Sequence, residues 1–590
     1  MLAHCQLGFR TRSPKPLTLV FPVGGPRLPE RVPFYLRGLF DRIPRERPAP
    51  TAWDEQYFKW PFDLTAGKLL PDEGRILFRG ELQRQTSRWG EFWQGDFSGW
   101  REPGNFQIET DFGCTFPLAI REDLYARIAR GYLDYLFCQR SGQAVPGIRL
   151  AQHLDDGVLD TDGSRVHAAG GWYDAGDLRK WMFLTQPNLQ ALASIVERGH
   201  PAFRAKALDE IAWGNRYHHA MISPEGQVWE DIGGGRFRGT DFERQWWFEN
   251  HPGCNVDGSE CRYTDNQPGS GDERSVRTTY NPAVQFMYAR TQARLAQVLN
   301  ESEARRSFAL AERAWLYGSN CGHDGRTLFL AEQAWAAVEL RAVGSEIATG
   351  AETERLLGEL LQRQFIGEEG LSGYFLEADG REGFRSIAAS CEPVFPLLRL
   401  LLTKPDQVSL ALFARCETAI CQYIDNYLLR DAQTNPFGVP PYGVYDACPF
   451  AEHQTFREAG NHRHVRTFIH PFNEQQIAHG TGAVITQQLN LLAQAASLTG
   501  RDDWRTAAET LLQWVFGHNP EGLCLHTGVG YRHPTPFSAY ITQIPDAMCV
   551  GHIGRPDDSP YLETSELIEW CTQEIWDVHH GYLAEASLWL

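Results

Sequence analysis

The chain has 590 residues, of which 42% are hydrophobic and 22% charged, so it can bury a large core and is long enough for two or more domains. Its formal net charge of −18 argues against nucleic-acid binding, because contacts to phosphates need a basic surface. The sequence has neither an apolar run of membrane-spanning length nor the apolar core of a signal peptide, and we therefore expect a cytoplasmic protein without a membrane partner. The alternative is a secreted protein whose export signal lies outside this sequence.

The first part of the chain, residues 1–112, is predicted to be a small β-sandwich domain. Short alternating runs such as Leu17–Pro22, Arg75–Leu82 and Phe106–Thr110 are separated by turn signals that contain Gly and Pro. Such spacings are typical of a β-sandwich.

The rest of the chain, residues 113–590, is predicted to be mostly α-helical. Leu124, Ile128 and Tyr132 lie on one face of its first helix. Long loops rich in Gly and His separate the later helical stretches, which we place at 187–199, 203–220, 281–300, 303–317, 327–343, 352–364, 393–403, 407–429, 474–499, 502–516 and 575–589. Helices in this number could form a bundle, a solenoid or a closed double-ring barrel, and the lack of a repeated motif disfavours the solenoid.

The thirteen cysteines show none of the usual zinc-binding spacings, and their odd number leaves at least one thiol unpaired. Cys254 and Cys261 share a polar, Gly-rich segment and could form a disulfide. Buried free thiols in a reducing compartment are the favoured interpretation.

The most informative segment is Gly170–Asp177, which ends in Asp174-Ala175-Gly176-Asp177. It places two carboxylates on one Gly-containing turn, just before an apolar run at Trp181. Two such acids can share one water, because one carboxylate can take its proton while the other orients it. The structural alternative makes Asp177 a helix N-cap, a position at which Asp is favoured.

With its lead-in Gly170-Gly171-Trp172-Tyr173, this segment resembles the first loop of glycoside hydrolase family 9, the cellulase-like inverting enzymes. Other pieces resemble the family in chain order: Gln152–Gly157, Lys180, Gly517-His518-Asn519-Pro520, Thr527-Gly528-Val529-Gly530, and Gln573-Glu574 where the family has Asn-Glu. The resemblance covers Phe116–Leu590. It implies an (α/α)6 barrel, preceded by the Ig-like domain that often accompanies it.

The resemblance also implies roles for three acids. Asp177 would be the general base, Asp174 would help to hold the attacking water, and Glu574 would be the general acid. Inversion needs base and acid on opposite faces of the sugar, roughly 6.5–9.5 Å apart. An acid that donates at neutral pH needs a raised pKa, which burial provides.

Alternatives remain open for Glu574. Trp570, Ile575 and Trp576 give it an apolar setting, but it could instead be a solvated charge at a helix start. Rival acids lie close by in the sequence: Glu563, Glu566 and Glu569.

Aromatic residues supply flat faces for sugar rings, and Trp172 is the predicted substrate-stacking residue because it lies beside the acids. Phe237, Trp246, Trp247 and Phe248 could line the cleft or simply pack within their own loop. Most other Trp residues are assigned to the core.

The chain departs from the family pattern at a structural zinc site that many Ig-bearing members hold with two Cys and two His. The matching positions here are Ser141, Gln152, His153 and Tyr173. One His cannot hold zinc, so this site is predicted to be absent. Catalysis is expected to need no metal or organic cofactor, and a structural calcium ion is compatible with the resemblance but has no assigned position.

The second departure concerns the substrate. Typical members present Pro-His-His-Arg after the Thr-Gly-x-Gly pair, whereas this chain has Tyr531–Ser538, in which Tyr531 and His533 are the predicted substrate-binding residues. Loss of a charged bidentate donor changes which sugar hydroxyls can be recognised.

We therefore expect an inverting β-glycosidase acting on β-linked oligosaccharides or polysaccharides. An exo-acting variant would trim short cello- or glucosamine-containing oligosaccharides, since a cationic amine suits an acidic pocket. A catalytically silent carbohydrate-binding protein is the alternative, and a lyase or epimerase would require a Tyr or His base. The sequence does not indicate an oligomeric state.

Overall fold

The computed structural model describes residues 1–20, 28–40, 75–233, 266–270, 273–470, 479–538, 544–564 and 570–590. These residues fall into two compact units. The first contains Met1–Leu124, Gln513–Cys524 and Val529–Arg532, and the second contains Tyr125–Leu512, Leu525–Gly528 and His533–Leu590. None of the described helices is both long enough and apolar enough to span a bilayer.

The first unit is a β-sandwich whose described strands are antiparallel. They are β1 (Leu2–Ala3), β2 (Pro16–Val20), β3 (Arg31–Phe40), β4 (Ile76–Ser87), β5 (Gly90–Asp96), β6 (Gly104–Thr110), β7 (Gly113–Cys114) and β8 (Leu118–Ile120). Their hydrogen-bonded order is β1-β2-β5-β4-β3-β6-β7, with β8 also on β6.

Alternate residues of these strands point into the core, as Val32, Phe34 and Leu36 of β3 do. The predicted β fold is therefore confirmed. Its last two strands lie beyond residue 112, so the unit extends further along the chain than the predicted domain.

The second unit is built from helices that alternate between two layers. Those of two turns or more in the described residues are α1 (Ala126–Gln139), α2 (Met182–Arg198), α3 (Pro201–His218), α4 (Pro282–Leu295), α5 (Glu301–Cys321), α6 (Thr327–Ala342), α7 (Gly350–Gln362), α8 (Phe395–Thr403), α9 (Leu410–Tyr423), α10 (Gly482–Thr499), α11 (Asp502–Val515) and α12 (Asp577–Ser587). A π-helical turn (Ile424–Leu428) and two one-turn helices (Leu429–Ala432 and Trp570–Gln573) complete the set.

The even-numbered helices form a closed inner ring. In this ring α2 contacts α4, and the contacts continue through α6, α8, α10 and α12, which returns to α2. Outside the ring, α1, α3, α5, α7 and α9 each pack on at least one inner helix. This architecture is the (α/α)6 barrel, so the closed double ring is the correct choice among the three predicted arrangements.

Residue patterns explain why each helix lies in its layer. Inner helix α10 is buried on every side from Gly482 to Ala496, including its amides, which find partners inside the barrel: Gln488 donates to the carbonyl of Pro441, and Asn490 donates to Glu585. Outer helix α7 buries only one stripe, at three- and four-residue intervals: Gly350, Thr353, Leu356, Leu357 and Leu360.

Short strands fix the loops between the helices. A four-stranded sheet has the order β10 (Lys180–Trp181), β11 (Asp231–Gly233), β12 (Ser275–Arg277) and β9 (Val158–Leu159). The others are β13 (Gly443–Tyr445), β14 (Arg457–Gly460), β15 (Arg463–Arg466), β16 (Ile553–Gly554) and β17 (Pro560–Tyr561).

Ring closure also explains how two distant acids can meet. Asp177 lies in the loop before α2, and Glu574 lies just before α12. Because α2 and α12 are neighbours in the ring, the loops at their N-termini share one end of the barrel.

Candidate active site

The candidate site begins with two backbone segments that pair with each other. The amide of Asp577 donates to the carbonyl oxygen of Asp174 at 2.9 Å, and Ala175 forms a β-bridge with Trp576. The backbone therefore holds the segment of the predicted base beside that of the predicted acid, whichever side chains they carry.

Gly176 is required by the close approach of three segments. A Cβ atom there would lie 2.5 Å from the carbonyl oxygen of Phe537 and 3.1 Å from Cγ of Glu574. The Gly176 amide also donates to the Glu574 carboxylate. Close approach, rather than a turn with positive φ, is thus the physical reason for this glycine.

Glu574 is 7% exposed, and its surroundings favour the protonated form. Burial, followed by the negative charge of Asp177, raises the pKa of Glu574 to about 8. The indole nitrogen of Trp576 donates to Oε2 at 2.9 Å and opposes that shift only in part. The apolar setting predicted from Ile575 and Trp576 is present, and Trp576 adds a polar contact that the sequence did not predict.

His479 is a further residue at the acid. Its ring packs edge-on against Trp576 at a centroid distance of 4.5 Å, and its Nδ1 lies 3.9 Å from Oε2 of Glu574. Burial lowers the pKa of His479 to about 3, so the ring is neutral and adds no positive charge. The sequence analysis missed this residue, because no spacing links it to Glu574.

Asp177 is partly exposed, and its Oδ1 accepts a hydrogen bond of 2.9 Å from the amide of Arg179. Burial raises the pKa of Asp177 to about 6, against that bond and the positive charges of Arg179 and Arg274. Asp177 therefore ionises at a lower pH than Glu574.

Both cations beside Asp177 are held by buried carboxylates. Nε of Arg179 donates to Asp231 at 2.8 Å, while Arg274 donates two hydrogen bonds to the Asp156 carboxylate, at 3.0 and 2.6 Å. The sequence analysis did not identify these supporting residues, because their partners are 50 or more positions away along the chain.

Asp174 is buried, and its Oδ1 accepts from the amide of Trp181 at 2.7 Å. Burial, together with the charge of Asp177, raises the pKa of Asp174 well above its ordinary range. Helix α2 begins at Met182, with Trp181 at the N-cap position. The alternative assignment of Asp177 as a helix N-cap is therefore wrong.

Trp172 does not match its predicted role. Its side chain is 0% exposed, and its indole nitrogen donates to Glu210 at 3.1 Å. The ring packs so closely on α3 that a Cβ at Gly214 would lie 2.1 Å from it. With no exposed face, Trp172 belongs to the core and offers no surface on which a sugar could stack.

The two residues predicted from the loop after Gly530 lie in different units. Tyr531 belongs to the first unit, where its hydroxyl is 3.2 Å from Nε2 of His4 and its ring packs on Phe116. His533 belongs to the second unit, and its Nδ1 lies 3.0 Å from the carbonyl oxygen of Pro534. His533 makes no hydrogen bond or ion pair with the three acids.

Several predicted features fall outside the described residues. They are the Cys254–Cys261 pair, the aromatic group Phe237, Trp246, Trp247 and Phe248, and the rival acids Glu566 and Glu569. The third rival, Glu563, accepts a hydrogen bond of 2.7 Å from the hydroxyl of Tyr561.

The four positions that match the family zinc site form a different kind of contact. The hydroxyl of Tyr173 lies 2.7 Å from Nδ1 of His153 and beside Ser141, and Gln152 is buried next to His153 in the chain. One imidazole, two hydroxyls and an amide do not provide the donors of a structural zinc. Among the described residues, no group of three or more His, Cys, Asp and Glu side chains is arranged to hold a metal.

Comparison with known proteins finds a similar family and similar sequences. Residues 125–359 match the model of glycosyl hydrolase family 9. Endoglucanase 16 of Oryza sativa subsp. japonica is 33% identical over 116 residues, which are 19% of this chain and 22% of that protein. The chain thus spans about a fifth of the length of this curated relative.

Solved structures share this fold. A metagenome-derived glycoside hydrolase family 9 endoglucanase has a TM-score of 0.69 at 18% identity, covering 100% of this chain and 98% of that one. A thermostable endoglucanase from Alicyclobacillus acidocaldarius, solved as a single mutant, has a TM-score of 0.68 at 16% identity, covering 100% and 99%. At this identity the likeness establishes the fold.

Proposed function

We propose that the chain, whose residues 125–359 match the model of glycosyl hydrolase family 9, hydrolyses β-glycosidic bonds with inversion, using Asp177 as base and Glu574 as acid. The observation that carries this proposal is the pair of carboxyl groups on adjoining segments with pKa values of about 6 and about 8. Environments that separate two such pKa values assign the base and the acid.

The reaction follows from those two protonation states. Between about pH 6 and pH 8, Asp177 is ionised and accepts a proton from water as the water attacks the anomeric carbon. Glu574 is protonated over the same interval and gives its proton to the leaving oxygen. Asp174, whose pKa is raised by burial and by the charge of Asp177, lies on the same segment and would help to hold the water.

The supporting residues keep that order of pKa values. Arg179 and Arg274 favour the carboxylate of Asp177, while neutral His479 avoids placing a cation against Glu574. The proposed hydrolysis needs only a water molecule, a carboxylate that accepts a proton and a carboxylic acid that donates one. It therefore uses no metal or organic cofactor. A structural calcium ion would affect stability rather than the proton transfers.

We also propose that the substrates are short β-linked oligosaccharides cut from one end. The chain lacks the family's His-Arg pair after the Thr-Gly-x-Gly turn, and Tyr531–Ser538 replaces it. Charged donors of that kind recognise the sugar hydroxyls beside the cleaved bond, so their replacement changes which hydroxyls the site can recognise. The net charge of −18 suits a glucosamine-containing substrate with a cationic amine.

A substrate panel tests both parts of this proposal. The purified chain is incubated with aryl β-glycosides and with cello-, chito- and xylo-oligosaccharides, and product lengths are followed with time. We expect turnover of at least one series, with single units released from one end. Internal cleavage would contradict the exo assignment, and binding without turnover across the panel would contradict the enzymatic one.

A further inference from the structure

A cavity of about 800 Å³ lies in the second unit, between α3 and the first turns of α5. Its apolar wall is formed by Leu208, Ile211, Val298 and Leu299. The volume is within the range of small-molecule sites. None of the three acids lines this cavity, so it is separate from the proposed catalytic site.

Three arginines give the cavity an unbalanced positive charge. Arg204, Arg216 and Arg306 line it, and none of them makes a salt bridge with a described residue. Arg204 donates to the carbonyl of Val196 at 2.7 Å, and the guanidinium of Arg216 lies over the ring of Trp213 at 4.5 Å. Both contacts leave the positive charge uncompensated.

The acids that line the cavity already have partners. Asp209 forms a salt bridge with Arg140, whereas Glu303 accepts from the neutral amide of Asn300 at 2.6 Å and keeps its negative charge. The three arginines still outnumber this one uncompensated carboxylate. All three are solvent-exposed side chains that line the same cavity. Their convergence on one cavity points to an anionic occupant.

A hydrogen-bonded series of three side chains, which ends at Asn215, adds a neutral donor to the cavity. Nε2 of His219 lies 3.1 Å from Oε1 of Gln292, and Nε2 of Gln292 donates to Oδ1 of Asn215 at 3.0 Å. Burial lowers the pKa of His219 to about 4, so its ring is neutral and donates to Gln292. The amide nitrogen of Asn215, a cavity-lining residue, therefore remains available to donate to a ligand.

We propose that this cavity binds a small molecule that carries a carboxylate or phosphate group. Arg216 and Arg306 would hold the oxyanion, Asn215 would donate to it, and the apolar wall would cover the carbon skeleton. Carboxylate and phosphate share the oxygen geometry that guanidinium groups recognise. This site is independent of the proposed hydrolysis.

Isothermal titration calorimetry on the full chain tests the site with four probes: inorganic phosphate, glucuronate, glucose 6-phosphate and uncharged glucose. We expect saturable binding and a raised Tm with at least one anion, and neither effect with glucose. Binding of phosphate without glucuronate would identify the oxyanion as phosphate, and the reverse would identify it as carboxylate. Failure of all three anions would overturn the proposal.

Variants assign the binding to this cavity. Arg216→Gln and Arg306→Gln, made separately, should each weaken the Kd of the bound anion by about tenfold. Arg305→Gln is the matched control, because Arg305 is as exposed as its neighbour Arg306 but does not line the cavity and pairs with Glu301. Equal affinity in wild type and both test variants, or an equal loss in the control, would contradict the assignment. The Tm of each variant without ligand shows that it is folded.

Discussion

Tyr173 and Asp174 are neighbours in the chain, yet they lead into two regions that compare differently with the family pattern. On one side, Asp174 and Asp177 meet Glu574, and the acids that the resemblance implies are all present. On the other side, Tyr173 contacts His153 and Ser141, at positions where the resemblance implies a metal. We call these three residues the hydroxyl cluster. We propose that the first region keeps the proton-transfer chemistry of the family, while the second keeps its place in the fold without the metal.

The two regions differ in what holds their functional groups in place. The acids are held by backbone bonds between their segments, such as that from Asp577 to Asp174, and by the absence of a side chain at Gly176. We propose that Ser141, Gln152, His153 and Tyr173 lack the donors of a zinc site but still join the same loops through the Tyr173–His153 contact.

The largest expected effect is at the base. Asp177→Ala should lower kcat by about 10²–10⁴-fold, because no other carboxylate replaces the proton acceptor. Steady-state hydrolysis of the best substrate measures this effect, with circular dichroism as the test of folding. Glu563→Ala, a change at the rival acid, is the control and should keep full activity. If the activity of Asp177→Ala were close to that of the wild type, the assignment of Asp177 as the base would be contradicted.

If Glu574 is the general acid, its replacement should change both the dependence of the rate on the leaving group and the pH profile of activity. Glu574→Gln should lose about 10²–10⁴-fold on an alkyl β-glycoside and much less on a dinitrophenyl glycoside, whose leaving group needs no proton. Wild-type activity should fall below about pH 6, as Asp177 becomes protonated, and above about pH 8, as Glu574 loses its proton.

The variant separates the two limbs of that profile. Glutamine does not titrate, so Glu574→Gln should lose the alkaline limb and keep the acidic one. An unchanged alkaline limb would show that another group supplies the proton.

Substitutions at the hydroxyl cluster and at Gln152 can supply the ligands of a zinc site. The triple variant Ser141→Cys, Gln152→Cys and Tyr173→His supplies thiolates and a second imidazole beside His153, and we expect it to bind one zinc. At a hundred to a thousand times Kd, zinc should stabilise it by about 3–4 kcal/mol. Metal analysis and unfolding with zinc or chelator measure this, and stoichiometric zinc in the wild type would contradict the predicted loss.

The smallest effect is expected from Tyr173→Phe. It removes the hydroxyl next to His153 and should lower the free energy of unfolding by about 1 kcal/mol while leaving kcat unchanged. Tyr288→Phe is a matched control, because Tyr288 is buried and its hydroxyl has no partner among the described residues. Equal losses in urea denaturation of the two variants would show that the cluster adds no stability.

Local patterns predicted much of this architecture. Period-two burial in β3 and one-sided burial in α7 follow from their own residues, and the Asp-Ala-Gly-Asp segment was placed correctly as a loop before a helix. The burial of Trp172 could not be predicted, because it depends on close packing against Gly214 of α3. The same holds for His479 and Asp231, whose roles arise only when distant loops meet.

The most direct measurement is the configuration of the first-formed product. Proton NMR during hydrolysis of a β-glycoside distinguishes the α-anomer from the β-anomer before mutarotation mixes them. A water activated by Asp177 while Glu574 protonates the leaving oxygen must give the α-anomer first. Appearance of the β-anomer first would mean retention of configuration and would contradict the assignment of the two acids.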